Sequence, residues 1–497
     1  MATPAATRAP VASAPPLDRT ARRDLLALGV GTVLLRLPAL FAERHLTFDD
    51  GVFGASAVAM RHGGEPFRQV FSSQGPLFLP LLWLVDLLGL RRLDSPRLLA
   101  VLAGVVLVVA VYLLGRAVTD RAGALLAAAL CSISASVLWV TGPLAADGVA
   151  LALATVAMLL VLRWREDVTV GRAIWIGIAV SAAISVKALL GVVLLPVVVV
   201  LLAGRRLAPI VSGAVAALAF HFALWLPWGA SRVWDQAYQY HLDVAGSRTP
   251  GANLRKTLST LGDRDLPVVA LVVLALAVAG WGAARRRRTA AGPAGPPTGR
   301  EPLVDRLVRW GQHPDVLLGL WLAAVVLMLV TEHPMWRPHV AHLVPPLALL
   351  AARHRPPAVA LAVAAVVVLP YHVVHAWGVL DPTPYRGTAA QVEAALEGMP
   401  KGAMAISDDP GLVYRAGRRT TDDLVDTSVL RIQTGRMDVD SVVRSARDQR
   451  VCAVVVRSVV RWGSFPTLPA RLAAAGYHVV LPRDAHGRVM YGRAPCF

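Results

Sequence analysis

RLLAVLAGVVLVVAVYLLGRAVTDRAGALLAAALCSISASVLWV, residues 97–140, decides the fold class. Two apolar runs, 97–115 and 122–140, flank a short polar connection that holds Arg116 and Arg121. A helix needs about 20 apolar residues, within a range of roughly 17–25, to cross a bilayer core, and each run has that length. Working outward, similar runs lie near 24–42, 146–163, 171–186, 188–203, 207–228, 267–284, 313–330, 339–352 and 357–377. Over the whole chain 56% of residues are hydrophobic and 16% are charged. A soluble domain carries about 25% charge. This much apolar surface has to face lipid rather than fill one oversized core. The sequence therefore predicts a mostly α, polytopic membrane helical bundle of about eleven spans.

The net charge of +18 would suggest nucleic acid in a soluble protein. Here the arginines cluster between apolar runs, where they act as topology signals, so no nucleic-acid partner is expected. Arg22 and Arg23, Arg116 and Arg121, Arg163, Arg165 and Arg172, Arg205 and Arg206, Arg285 to Arg288, and Arg353 and Arg355 all fall on one side if the N-terminus is cytoplasmic. An odd span count then puts the C-terminal end outside. The expected location is the plasma (inner) membrane, multi-pass. Residues 1–23 read as a disordered cytoplasmic N-terminus without a cleaved signal peptide, since no apolar h-region is present. The membrane domain reads as 24–377, with outer loops 43–96 and 229–266 and a cytoplasmic Pro/Gly-rich linker, 285–312. Residues 76–90 are apolar but short and contain Asp86, so they read as a re-entrant or interfacial helix. Lys187 divides the runs 171–186 and 188–203 and reads as an outer turn, because a Lys at mid-span costs about 2.5–3.5 kcal/mol.

Beyond residue 377 the composition changes. GAMAIS, VCAVVV and YHVVLP read as buried strands, and QVEAALEGM, VDSVVRSARD and LPARLAAAG as helices. Residues 378–497 thus read as a small extracytoplasmic α/β domain. Its Cys452 and Cys496 can pair if it lies in an oxidising compartment. No CxxC or His/Cys metal spacing occurs, and no metal or cofactor is expected. High Ala, Arg and Val content hints at a GC-rich bacterial genome, and with it a role in the cell envelope.

The chemistry concentrates in the first outer loop, LTFDDGVFGASAVAMRHGGEPFRQVFSSQGPLF, 46–78. Asp49 and Asp50 precede an apolar-faced helix predicted over 52–62. Carboxylates at an interface can accept a proton from an incoming hydroxyl. Equally, Asp50 reads as a helix N-cap. Further on stand Asp147 in GPLAADGVALALATVAMLLVLR, Lys187 in ISVKALLGVVLLP, and the turn EHPMWRPHVAHLVPPLALLAA, 332–352.

In order along the chain, Asp49, Asp50, Phe53, Gln74-Gly75-Pro76, Asp147, Lys187 and the His-rich turn resemble the integral-membrane glycosyltransferases of the GT-C superfold. The similarity is to the protein O-mannosyltransferase and lipid A aminoarabinose transferase branch. Departures are Asp-Asp for Asp-Glu, Gln-Gly-Pro for Lys-Pro-Pro, and Ala146 for a proline. The resemblance implies an inverting transfer of a hexosyl or pentosyl group from a polyprenyl-phosphate sugar to an acceptor hydroxyl at the outer face. The acceptor would be a glycan, lipid or protein, with membrane lipid as a further partner. It casts Asp49 as general base and Asp50 as a group orienting the acceptor or Asp49. Asp147 and Gln74 would bind substrate; for Asp147 a helix N-cap is the bland alternative. Lys187, Arg337, His339 and His342 would serve the phosphate, although Arg337 with Trp336 also reads as an interfacial anchor. Arg232, Arg248, Arg255 and Lys256 are further cations, on a loop whose Trp234, Tyr238 and Tyr240 suit a mobile lid. Asp426, Thr427, Ser428 and Arg431 in DDLVDTSVLRIQTG, 422–435, carry no assigned mechanism beyond acceptor binding or packing over the site. The rival readings are a transporter or lipid flippase, and a non-catalytic assembly protein in which Asp49, Asp147 and Arg337 do not converge.

Overall fold

The computed structural model describes residues 18–165, 167–204, 206–244, 249–289, 311–354 and 356–497. Most of the 1–23 segment and of the 285–312 linker, and Arg205, Arg248 and Arg355, lie outside the described residues. Each of the apolar runs read from the sequence is helical. The first part of the chain forms α1 (Arg19–Leu40), α2 (Phe48–Arg61), α3 (Phe78–Leu88), α4 (Leu98–Val118), α5 (Arg121–Ile133), α6 (Ala135–Thr141), α7 (Ala146–Trp164) and α8 (Val170–Val186). Later helices include Leu207–Ala223, Pro250–Arg264, Pro314–Thr331, Val344–Arg353 and Ala358–Leu380.

By length and apolarity the count differs from eleven. Among the described residues four helices are long enough to cross a membrane: Ser95–Val118, Ala146–Trp164, Pro314–Thr331 and Ala358–Leu380. The run 122–140 is not straight. It breaks at Ser134 into α5 and α6, which meet at 62° and together make a fifth candidate. Several other runs are shorter, including Val170–Val186, Ala188–Ala203 and Leu207–Ala223. At 1.5 Å rise per residue they reach about 25 Å, short of the ~30 Å core. The physical cause is polar or Pro-containing sequence at their ends, such as Lys187 after α8. Residues 76–90 do form a short helix, and its Asp86 is buried in a paired contact, with Arg61 Nε donating at 2.8 Å.

Polar contacts sort the connections to two ends of the bundle. At one end Arg121 meets Asp24 at 2.7 Å, Arg353 meets Asp315 at 2.5 Å, and Gln312 donates to the Arg165 carbonyl at 3.2 Å. At the other end lie the first loop, Lys187, the His-rich turn and the C-terminal domain. This is the grouping that the arginine-bearing connections predict. The outward face is apolar: Val359, Val363, Val366, Val367 and Val374 on Ala358–Leu380 are all exposed, as lipid contact requires.

The C-terminal domain is a four-stranded sheet with helices against it. Strands β1 (Met404–Ser407), β2 (Val451–Val456), β3 (His478–Leu481) and β4 (Val489–Gly492) run in the order β1-β2-β4-β3. Only β1 and β2 are parallel. The central strand β2 is buried along its length, but β3 is an edge strand and is not buried. The expectation of three buried strands is therefore corrected for YHVVLP. Cys452 on β2 is bonded to Cys496, with Cα atoms 5.8 Å apart, within the usual range for a disulfide.

The helix Pro410–Arg415 docks this domain onto α2. Gly51 is required there, since a Cβ would stand 2.5 Å from Gly411 Cα. Arg415 clamps the contact through Asp94 at 2.6 Å and the Glu43 carbonyl at 3.0 Å.

Candidate active site

The first turn of α2 sets the site. Thr47, not Asp50, is the N-cap: its Oγ1 accepts from Asp50 N at 3.2 Å. Asp49 and Asp50 occupy the first helical turn, where the helix dipole favours negative charge. Being adjacent on a helix, they point about 100° apart.

Asp50 is fully buried and fully engaged. Arg97, also fully buried, donates from Nη2 to Oδ2 at 2.7 Å and from Nε to Oδ1 at 3.1 Å. Leu46 N and Leu144 N complete the set at 3.0 and 3.1 Å. Burial pushes this carboxyl up, but the Arg97 guanidinium and the two amides hold it below the usual carboxylate range. Arg97 in turn donates to the carbonyls of Ala42 and Arg44, at 2.7 and 2.6 Å. The pair thus ties the loop after α1 to α2, to the start of α4 and to the turn before α7.

Asp49 faces the other way. Among the described residues no protein group hydrogen-bonds its carboxylate, and it is only partly exposed. Burial raises its pKa to about 6; Lys187 and His339 oppose the rise, and Asp147 and Asp426 add to it. The charges of those four residues thus act on Asp49.

Asp147 is not a cap either. It lies in the first turn of α7, and its Oδ2 accepts from Lys187 Nζ at 2.7 Å. Its Oδ1 is 3.3 Å from His342 Nε2 and 3.5 Å from His339 Nε2. His339 Nε2 is 3.0 Å from Lys187 Nζ, and its Nδ1 is 2.7 Å from Glu332. A carboxylate at Nδ1 favours the proton there, which leaves Nε2 to accept from the ammonium. Lys187 follows α8 as its C-cap, in extended backbone, so the broken helix pair delivers it to the end of the bundle that holds Asp147 and the His-rich turn. The Gln-Gly-Pro segment packs beside it. Gly75 N and Leu77 N donate to the carbonyls of Val186 and Ser185 at 3.0 and 2.9 Å. A Cβ on Gly75 would collide with the Ser185 carbonyl. Gln74 donates to Ser73 Oγ at 3.2 Å and does not touch the charged cluster.

Arg337 stands apart from the Asp147 cluster. It is exposed, and its charge is felt by Arg264. Arg264 lies over the Trp139 ring at 4.2 Å and keeps a buried Nη1 without a partner. The Arg337 charge acts on Arg264, and a guanidinium with an unsatisfied donor suits an anion. The loop cations divide: Lys256 donates to the Met335 carbonyl at 2.6 Å, and Arg232 to the Trp228 carbonyl at 2.8 Å. Both are structural ties. The predicted lid is packed down, with Tyr238 stacked on Trp225 and Trp234.

Sequence reading assigned no role to Arg97, Glu332 or Arg264. Arg97 opens an apolar run and looks like a helix-end anchor. Its signal was an Arg that, with no acidic neighbour closer than Asp94, still had to be satisfied at a buried helix start. Glu332 stood seven residues before His339 inside the quoted turn, a spacing that only the turn itself converts to contact. The segment 422–436 gains a location. Arg431 lies over the Phe71 ring at 4.2 Å, Ser428 meets Tyr240 OH at 3.0 Å, and Arg436 bridges Asp235 and Asp243 at 2.7 and 2.8 Å. The segment therefore roofs the site.

Residues 73–229 match the model of the dolichyl-phosphate-mannose-protein mannosyltransferase family. No curated protein sequence matches. Among solved structures, the fold is similar to ArnT from Cupriavidus metallidurans bound to undecaprenyl phosphate. That match has 15% identity and TM-score 0.62, and covers 95% of this chain and 98% of that one. It is also similar to the archaeal oligosaccharyltransferase AglB from Archaeoglobus fulgidus in complex with an inhibitory peptide and a dolichol-phosphate. There the identity is 11% and the TM-score 0.50, covering 96% of this chain and 75% of that one. Residues 73–229 thus match the dolichyl-phosphate-mannose-protein mannosyltransferase family model, and the fold of the whole chain is similar to those of ArnT and AglB.

Proposed function

We propose that this protein transfers a sugar from a polyprenyl-phosphate donor to an acceptor hydroxyl at the non-cytoplasmic membrane face, with inversion at the anomeric carbon. Asp49 is the general base. The observation that carries the reading is that Asp49, a carboxylate without a hydrogen-bond partner among the described residues, lies within reach of the charges of the Lys187–Asp147–His339 network at one end of an apolar bundle. A base with pKa about 6 is mostly ionised at neutral pH yet retains proton affinity, the balance that general base catalysis favours.

In the proposed step the acceptor oxygen attacks the anomeric carbon as its proton passes to an Asp49 carboxylate oxygen. The bond from that carbon to the phosphate oxygen breaks, and polyprenyl phosphate leaves with the electron pair. Lys187 faces the charge that develops on the leaving group; Asp147, His339 and His342 hold its ammonium in place. Arg337 and Arg264 form a second cationic position for the lipid phosphate. Asp50 orients Asp49 through the helix turn that Arg97 fixes. The solved relatives hold undecaprenyl phosphate and dolichol-phosphate, which supports a lipid-linked donor. The Cys452–Cys496 bond supports an oxidising, extracytoplasmic location for the C-terminal domain.

The test is a screen of the full chain in lipid nanodiscs against polyprenyl-phosphate mannose, arabinose and aminoarabinose carrying radiolabelled sugar. The expected result is release of polyprenyl phosphate, with label passing to an added acceptor, from one of the three. No release from any donor by well-folded protein defeats the proposal.

A further inference from the structure

The C-terminal domain contributes one acidic side chain whose surroundings the transfer step does not explain. Asp426 is 5% exposed. Its Oδ1 accepts from Ser428 N at 2.9 Å. Among the described residues nothing else donates to the carboxylate and no cation pairs with it. The adjacent Arg431 feels the Asp426 charge but donates elsewhere: Nη1 bonds the backbone carbonyls of Asp423 and Asp426, and the guanidinium is spread over the Phe71 ring. The next residue, Thr427, is fully buried with an unpartnered Oγ1. A nearly buried carboxylate with spare acceptor capacity is costly unless something donates to it. Asp426 lies close enough to Asp49 and to Tyr240 for its charge to act on both. Phe71 and Tyr240 pack edge to face at 5.4 Å beside it.

We propose that Asp426 is an acceptor-positioning residue, supplied by the C-terminal domain across from Asp49, and that the acceptor it selects is a sugar bearing neighbouring hydroxyls. The inference rests on the glycosyltransferase reading above. An ionised carboxylate only accepts hydrogen bonds, so its ligand must donate. That excludes the donor phosphate from this side and suits hydroxyls. Phe71, which is partly exposed, offers apolar ring surface to the C–H face of a sugar, while Tyr240 is buried. Lys187 and the arginines take the anionic donor, so the two substrates meet at Asp49 from opposite chemical environments.

The experiment compares wild type with Asp426→Asn in nanodiscs. It uses the donor that wild type turns over, with octyl mannoside, octyl glucoside and octyl arabinoside as acceptors and a Ser/Thr-containing peptide as the contrasting class. The expected result is glycosylation of an alkyl glycoside by wild type. In the variant the acceptor KM rises by about tenfold or more, as loss of a charged hydrogen bond implies, while the donor KM moves less than the acceptor KM. Removing a negative neighbour also moves the acid limb of the rate toward lower pH. A packing defect would produce neither the split in KM nor that shift. Equal acceptor KM values, acceptor and donor KM values rising together, or a wild type that glycosylates only the peptide would each overturn the inference. A wild type that cleaves no donor defeats the underlying transferase reading instead.

Discussion

The two sides of the first turn of α2 carry the same functional group in opposite states. On one side Asp50 has four protein hydrogen bonds, a buried guanidinium and no exposure. On the other Asp49 has none among the described residues, and its charge is opposed by burial. Neighbours in sequence, they teach that completeness of partners separates a structural carboxylate from one left open to a further donor. Asp50 is a strut between α1, α2, α4 and α7. Asp49 keeps lone pairs that no described residue uses.

Substituting each in turn is the sharpest way to break that contrast. Asp49→Asn should lower transfer by about 10²–10⁴-fold, the usual worth of general base catalysis, with the melting temperature almost unmoved. Asp50→Asn should instead cost about 3–5 kcal/mol of stability, because it leaves Arg97 buried without its counter-charge. Thermal unfolding in detergent and single-turnover transfer, run on both proteins, would read the two effects. If Asp49→Asn melted early and Asp50→Asn did not, the assignment would be reversed. A double replacement, Asp50→Leu with Arg97→Met, should recover much of the loss, since apolar groups of similar volume often substitute for a buried pair. Failure to recover would mean that the hydrogen bonds to the loop after α1 matter more than the charge.

Lys187 tests the partner side. Lys187→Met should reduce the rate by about 10²–10³-fold, as removal of one preorganised donor does. The loss should exceed that from Arg337→Gln, which sits outside the cluster. A larger effect at Arg337, read from kcat with saturating donor, would shift the leaving-group site to the Arg264 side.

The smallest effect is in pH. Asp49 must be ionised to accept a proton, and its pKa stands raised, at about 6. The rate should therefore hold near neutrality, fall with a midpoint close to pH 6, and drop about tenfold per unit below it. A profile flat to pH 5 would mean that Asp49 is not the titrating base.

Much of this molecule was legible in its sequence. Apolar run length fixed the helices, and arginine spacing predicted which connections share an end. Both are local or one-dimensional signals, set by bilayer thickness and by the cost of carrying charge across it. Short apolar runs marked β1, β2 and β3 for the same kind of reason. The expected burial failed at β3, where the same apolar letters sit on an edge strand. The same signal missed β4, whose VMYG needs β2 and β3 on either side to become a strand. The resemblance also singled out Asp49, Asp147, Lys187, His339 and His342, residue types that are costly to keep near apolar runs.

Only the tertiary structure decided which of them work together. Nothing in DD says that the second aspartate meets Arg97, 47 residues on, or that the first is left bare. No spacing brings Lys187 to His339 across 152 residues, or lays Asp426 over a helix that begins at Phe48. Those distances are closed by helix packing and by the docking of a separate domain. A side chain's chemistry follows from the atoms that packing puts around it, and a linear pattern does not contain them.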